Sequence, residues 1–342
     1  MRTAPFDSAA VEAWMAAHVP GFRGPIAVEK FATGQSNPTY KLTATSGAYV
    51  LRRKPPGTLL KSAHAVDREF RVQQALAATD VPVARMYALC EDETVIGTMF
   101  YVMDHVAGRT FVDPRLPDLD MADRSAIFDD MNRVLAAIHD VDLVATGLDD
   151  YGPGGNYYAR QCARWTKQYR ATATGDLPEM DRLIAWLDAN RPPDDGQRCL
   201  VHGDYRLDNL IFASDAPDIR AVIDWELSTT GHPYADLAAV LMQWSMPATA
   251  EGRGLAGVDR EGLGLWSDAA FVARYCDRRG IPPIDDFGFY LAFAHFRMAA
   301  ILQGVLRRAL DGNAADPERG RRLGEYVPEF ARAGLAAAKG RG

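Results

Sequence analysis

Nothing in the sequence matches GxxxxGK[ST], so a P-loop nucleotide site is excluded. Cysteine is scarce. Cys90, Cys162, Cys199 and Cys276 are widely spaced with no CxxC pair, which argues against a zinc site or a disulfide framework. They are expected as free thiols in a reducing cytosol. Positive charge is short too: 38 Lys and Arg stand against 45 Asp and Glu, a formal net charge of -7. Wholesale nucleic-acid binding is not expected of such a chain, though an acidic chain can still carry a local basic patch. The N-terminal stretch Met1 to Asp7 has no apolar signal core. No apolar run approaches transmembrane length, and no lipidation box ends the chain. The expectation is a soluble cytoplasmic protein with no membrane contact. Repeats are absent, and low complexity is confined to Ala336 to Gly342.

What is present is the composition of a globular protein. Of 342 residues, 48% are hydrophobic and 24% charged, enough for one large or two modest cores. Asp7 or Ser8 can cap a first helix whose Val11, Trp14, Met15 and His18 share a face, ended by Gly21. Strand-like runs follow at about 26–31, 39–43 and 48–54, and short turns between them predict an antiparallel meander. A helix is predicted over about 62–79, then strands over about 85–90 and 99–106. After Gly108 helical patterns dominate, at about 121–140, 156–172, 179–190, 233–244, 267–279, 286–310 and 317–338. A β-rich first third and a helical remainder predict an α+β chain of two lobes, 1–105 and 106–342.

The chemistry concentrates in Leu200-Val201-His202-Gly203-Asp204-Tyr205-Arg206-Leu207-Asp208-Asn209-Leu210-Ile211-Phe212. Two apolar runs flank a polar turn, and Ala221-Val222-Ile223-Asp224-Trp225-Glu226 repeats the arrangement with a second carboxylate. In phosphoryl transfer a protein mostly positions reactants and neutralises charge. A carboxylate near the acceptor hydroxyl aligns it and takes its proton. Asp204 suits that role, although a turn Asp bonded to backbone is the plainer alternative. Asn209 and Asp224 offer the hard oxygen donors that magnesium takes from proteins, nucleotide phosphates supplying others.

His202 to Asn209, with Ile223-Asp224-Trp225-Glu226, resembles the aminoglycoside phosphotransferase/choline kinase group of protein-kinase-like enzymes. Tyr49-Val50-Leu51-Arg52-Arg53-Lys54-Pro55-Pro56-Gly57, Asp67-Arg68-Glu69-Phe70 and Trp225 to Pro233 are similar to a narrower group. That group is the kinase-like domain fused to the N-terminus of some acyl-CoA dehydrogenases, with its free-standing bacterial relatives. The resemblance spans about residues 25 to 330. It implies a bilobal protein-kinase-like fold with a small antiparallel-sheet N-lobe and a mainly helical C-lobe. It also implies ATP with Mg2+, and a small hydroxylated acceptor. For the narrower group the implied acceptor is a 4-hydroxyacyl-CoA, with a functional link to an acyl-CoA dehydrogenase.

Site residues follow from the same resemblance. The turn holding Gly34, Ser36 and Asn37 takes the place of the phosphate-covering loop. Arg52 stands where kinases carry a phosphate-pairing Lys, with Glu69 as its partner and Val50 lining the adenine pocket on the same strand face. Arg keeps the charge and adds bidentate contacts, but is longer and planar. Lys54 shares that face and could substitute. Backbone groups of Asp104 and Val106 would hydrogen-bond adenine. Asp236 would tie down the catalytic loop, with His202 orienting it. On the acceptor side, Arg160, Arg164 and Lys167 fall on one helical face, a stripe suited to an anionic acceptor such as a CoA thioester; Arg206 and Arg297 could join it. A plain solvated basic face is the simpler reading of the stripe. Gly152 to Gly155 follows no strand and reads as an ordinary loop. Two other functions remain open: a kinase for an aminoglycoside or other cationic or sugar acceptor, and a non-catalytic nucleotide-binding module, motivated by Arg52.

Overall fold

The computed structural model describes residues 6–31, 37–55, 65–248, 253–314 and 316–340. In chain order, α1 (Ser8–His18), β1 (Ala27–Lys30), β2 (Thr39–Ala44), β3 (Gly47–Arg53), α2 (Val66–Leu76), β4 (Met86–Cys90) and β5 (Phe100–Asp104) come first. Helices α3 (Met121–His139), α4 (Tyr157–Thr172) and α5 (Pro178–Ala189) follow. The short strands β6 (Cys199–Val201), β7 (Leu210–Phe212), β8 (Ile219–Val222) and β9 (Thr229–Gly231) come next. Then α6 (Tyr234–Trp244), α7 (Arg260–Leu263), α8 (Asp268–Arg279), α9 (Gly288–Leu310), α10 (Pro317–Gly324) and α11 (Val327–Ala337) complete the chain.

Two compact units form. The first holds 1–110, 142–148 and 207–228; the second holds 111–141, 149–206 and 229–342. The first unit thus gathers two segments from beyond the division that sequence drew at residue 105.

In the first unit a five-stranded sheet runs in the order β1-β2-β3-β5-β4, and every pair is antiparallel. Strand alternation assigns its faces. Tyr49 and Leu51 of β3 join Val11 and Met15 of α1 in one cluster, while Tyr101 of β5 packs with Val66 and Phe70 of α2 on the other side. Each such buried side chain contributes about 1.5–3 kcal/mol. Arg53 falls on the α1 side, its guanidinium over the rings of Phe6 and Tyr40. The β7–β8 ribbon belongs to this unit and is tied to it by backbone. Arg109 and Phe212 exchange N–H···O bonds of 2.9 Å each way, and the Val222 N–H donates to Pro82 O at 2.8 Å. A Cβ on Gly108 would lie 2.2 Å from Phe212 O, so only glycine allows that approach.

The second unit is helical, with β6 and β9 paired antiparallel. Its core is the face of α4 carrying Tyr158, Cys162, Trp165 and Tyr169, packed on Phe289, Phe293 and Phe296 of α9. The i, i+4, i+7 spacing of those α4 residues is that of one helical stripe. Sequence reading found no run of membrane-spanning length, yet α9 has the length and composition to cross one. It packs instead against α4, α6, α10 and α11. The single helix expected over 317–338 is two, because Pro328 opens α11 and has no N–H to continue the earlier ladder.

Candidate active site

The site residues fall into two groups, one in each unit. In the first unit Arg52 is the centre. It lies on the β3 face shared with Val50, where register sets it opposite Tyr101 of β5. Its Nε is 2.7 Å from Glu69 Oε2, and its Nη2 donates to Asp224 Oδ1 at 2.6 Å, with Glu226 Oε2 3.7 Å away. Burial alone would lower the pKa of this guanidinium, but Glu69, Tyr101 and Asp224 outweigh it and hold it above the usual arginine range. Glu69 is 1% exposed. Burial pushes its carboxyl up and Arg52 opposes that. Its oxygens accept from Asn37 Nδ2 at 2.8 Å, Tyr101 OH at 3.0 Å and Arg52 Nη2 at 3.2 Å. The expected Arg52–Glu69 pair is therefore formed, and Asn37 is bound to Glu69 itself. Gly34 and Ser36, expected in the phosphate-covering turn, lie outside the described residues. Lys54 is 3.9 Å from Asp67 and does not take the place of Arg52.

Asn209 and Asp224 are set by the β7–β8 ribbon. Leu210 pairs with Val222, and the Ile223 N–H donates to Asn209 O at 2.9 Å, which puts both candidate ligands at one end of the ladder. Asp224 turns out of that end with φ +66°, a left-handed conformation that Asp tolerates better than most side chains. One amide oxygen and one carboxylate, the latter partly exposed, fit Mg2+ as a donor set that phosphate oxygens and water would complete. Asp104 is at the end of β5; its N–H is bonded to Arg85 O at 2.9 Å and its carboxylate accepts from Tyr87 OH. Asp104 therefore has only its carbonyl to offer a base, while Val106 lies past the strand end, outside the ladder.

In the second unit the catalytic loop follows β6. Asp236 of α6 is fully buried and accepts the His202 N–H at 2.6 Å and the Gly203 N–H at 2.8 Å. Burial alone would raise this carboxyl; the His139 hydrogen bond and charge, His202 and the Gly203 N–H together hold it below the usual range. His139 Nε2 is 3.4 Å from Asp236 Oδ2, and its Nδ1 is 2.6 Å from the Tyr275 hydroxyl. On the far side of the loop Arg297 Nη2 donates to Gly203 O at 2.8 Å. Asp204 is partly exposed; its N–H donates to His202 Nδ1 at 3.2 Å, and Arg206 Nε lies 3.2 Å from its Oδ2. The loop is fixed from two helices, α6 and α9, while the carboxylate at its tip is partly exposed. Asp236 and His202 hold the loop as the sequence suggested. His139 and Tyr275 were missed, since a His at a helix end and a Tyr 136 residues away carry no local signal. Tyr101 and Glu226 were legible in principle, one from strand pairing and the other from its place two residues after Asp224.

The basic stripe of α4 is opposite its buried face. Arg160 donates to the carbonyls of Gly154 and Gly155, Arg164 lies 5.2 Å from the Trp165 ring centroid, and Lys167 is exposed. Arg297, expected as a substrate contact, is bonded to the loop backbone and lies 5.7 Å from the same ring.

The first unit holds a buried cation of β3 paired with Glu69, and an amide and a carboxylate at one ribbon end. The second holds a partly exposed carboxylate on a pinned loop. Each is a part that phosphoryl transfer uses. A sequence model of the phosphotransferase enzyme family matches residues 27–301. Acyl-CoA dehydrogenase family member 10 of Mus musculus is 47% identical over 311 residues, 90% of this chain and 29% of its own length. The chain spans less than half the length of the curated relatives it matches, 44% in the chicken family member 11. A solved structure described as a candidate aminoglycoside phosphotransferase from Ralstonia eutropha is 49% identical, with TM-score 0.90 over 98% of this chain and 99% of that one. Aminoglycoside phosphotransferase APH(4)-Ia, solved with AMP-PNP and hygromycin B, is 17% identical with TM-score 0.63 over 97% of this chain and 99% of that one, a likeness of fold. The chain belongs to the phosphotransferase enzyme family.

Proposed function

We propose that the protein moves the terminal phosphate of ATP, with Mg2+, to the hydroxyl of a 4-hydroxyacyl-CoA or a related hydroxy acid. The observation that carries the transfer is the Asp204 loop, its backbone bonded from both sides by Asp236 and Arg297 while its carboxylate, beside Arg206, is partly exposed. In this reading Asp204 accepts the hydroxyl proton and orients the oxygen for attack. Arg52 stabilises phosphate charge, and Glu69 keeps its guanidinium from turning away. Asn209 and Asp224 would hold Mg2+, which offsets charge on the phosphate oxygens. Backbone groups of Asp104 and Val106 would receive the base.

The acceptor class rests on the acyl-CoA dehydrogenase family relatives, which are more than 40% identical over nine-tenths of this chain. The same likeness supports a functional link to such a dehydrogenase. The name of the Ralstonia relative supports a second reading, an aminoglycoside acceptor. ADP release across a panel of hydroxyacyl-CoA thioesters, hydroxy acids and aminoglycosides separates the two. Release stimulated by hydroxyacyl-CoA supports the proposal; release stimulated by aminoglycosides alone overturns it.

A further inference from the structure

Many arginines of this acidic chain have a carboxylate beside them. On α4 itself, Arg170 is 2.5 Å from Asp181. Four other cations of α4 and α9 are different. Among the described residues, none of Arg160, Arg164, Lys167 and Arg297 lies within ion-pair distance of a carboxylate. Arg160 is committed to the carbonyls of Gly154 and Gly155. Arg164 and Arg297, from α4 and α9, both lie over one indole, 5.2 and 5.7 Å from the Trp165 centroid. That ring is itself fixed, nearly buried and donating from Nε1 to Gln161 Oε1 at 3.1 Å.

Arg164 and Arg297 each hold a charge beside the same ring, and neither has a carboxylate among the described residues to neutralise it. An anion reaching either one would supply that counter-charge, and guanidinium groups present N–H forks that match carboxylate and phosphate oxygens. The position matters as much as the charge. Arg297 also donates to the carbonyl of Gly203, so a group bound at this ring is registered against the residue preceding Asp204.

We propose that Arg164 and Arg297, gathered over the Trp165 ring beside the catalytic loop, form an anion subsite that takes a carboxylate or phosphate group of the acceptor. The inference deepens the acceptor reading given above and rests on it. Lys167, one turn further along α4, adds long-range attraction without a fixed contact.

Calorimetric titration of free coenzyme A, pantetheine and 4-hydroxypentanoate into the full chain tests it. Coenzyme A is expected to bind, with affinity falling as salt rises and falling on the order of tenfold in Arg164→Gln. Arg297→Lys retains more affinity than Arg297→Gln, because it keeps the charge. Binding of pantetheine as tight as coenzyme A, or an unchanged affinity in both Arg164→Gln and Arg297→Gln, overturns the subsite. So does a failure of all three probes to bind the native chain. If 4-hydroxypentanoate competes with coenzyme A, the acceptor's carboxylate is the anion; if it does not, the phosphates of the coenzyme are. Arg164-dependent binding of coenzyme A without phosphorylation of any hydroxyacyl-CoA would keep the subsite and reject the acceptor assigned to the transfer.

Discussion

Asp236 Oδ1 accepts the Gly203 N–H at 2.8 Å, and its other oxygen takes the N–H of His202. A single buried carboxylate thereby fixes the backbone of the two residues before Asp204. Asp236→Asn replaces one acceptor oxygen by an N–H2 that must oppose a backbone N–H. Misplacing the base is expected to lower kcat by on the order of 10²-fold. Leaving buried donors unmatched is expected to reduce stability by about 1–3 kcal/mol. Steady-state kinetics and urea unfolding check both; a kcat within twofold of the native value would refute the positioning role.

Asp204→Ala removes the group assigned to the hydroxyl proton and leaves the loop bonds to Asp236 and Arg297 in place. Transfer is expected to fall by about 10²–10⁴-fold. Nucleotide affinity, read by titration, should change little, because Arg52, Glu69, Asn209 and Asp224 are untouched. Turnover comparable to the native enzyme would remove Asp204 from the mechanism.

Arg52→Ala leaves Glu69 buried with its cation gone, a change of about 3–5 kcal/mol in stability. Arg52→Lys keeps a charge but loses the fork that reaches Glu69 and Asp224 together. The lysine variant should therefore be intermediate in stability, with a raised KM for nucleotide. The double change Arg52→Met with Glu69→Met should recover much of the stability and none of the activity. Equal stability of the Ala variant and the native chain would show that the pair contributes nothing.

His295 of α9 is one acid-sensitive point of the second unit, beside the buried His139 and His232. Burial lowers its pKa to about 4, from about 6.5 in an unfolded chain. Since the folded value is the lower one, its contribution is complete above about pH 6.5 and is lost as pH falls toward 4. The expected loss is about 3 kcal/mol. Urea midpoints at pH 7.5, 5.5 and 4.5 measure it, and in His295→Gln the part of the decline due to this residue should vanish. A native-like decline in that variant would move the cause elsewhere.

Gly108→Ala places a methyl within 2.2 Å of Phe212 O, a backbone atom that cannot rotate away. Loss of about 1–3 kcal/mol is expected. The displaced ribbon should also weaken magnesium-nucleotide binding, since β7 leads directly from Asn209. Unchanged melting and unchanged nucleotide affinity would mean that the linker yields without disturbing the ribbon.

The strands of the sheet and most helices were legible because each carries its own period: alternation in 39–54, and an i, i+4, i+7 stripe in α4; the order in which β4 and β5 join the sheet was not. Asp204, Asn209 and Asp224 were legible as a spacing, and Arg52 with Glu69 through resemblance. What local reading could not reach is held by tertiary contact. His139 and Tyr275 support Asp236 across long separations, and Asn37 is bound to Glu69 through a bond no spacing implies. The break between α10 and α11 was misread because helical periodicity continues through it, and only Pro328 marks the restart. The Arg164–Trp165–Arg297 cluster joins two helices, so the stripe alone showed half of it.

The bonds that hold the loop before Asp204 reach 33 residues onward to Asp236 and 94 to Arg297. The recognisable motif is therefore a label, and competence is assembled from chain that is made later. A fragment ending before α9 would keep every motif residue from Arg52 to Asp236, yet would lack one of the two grips on Gly203. During synthesis, activity should appear only after the last third of the chain has emerged and docked.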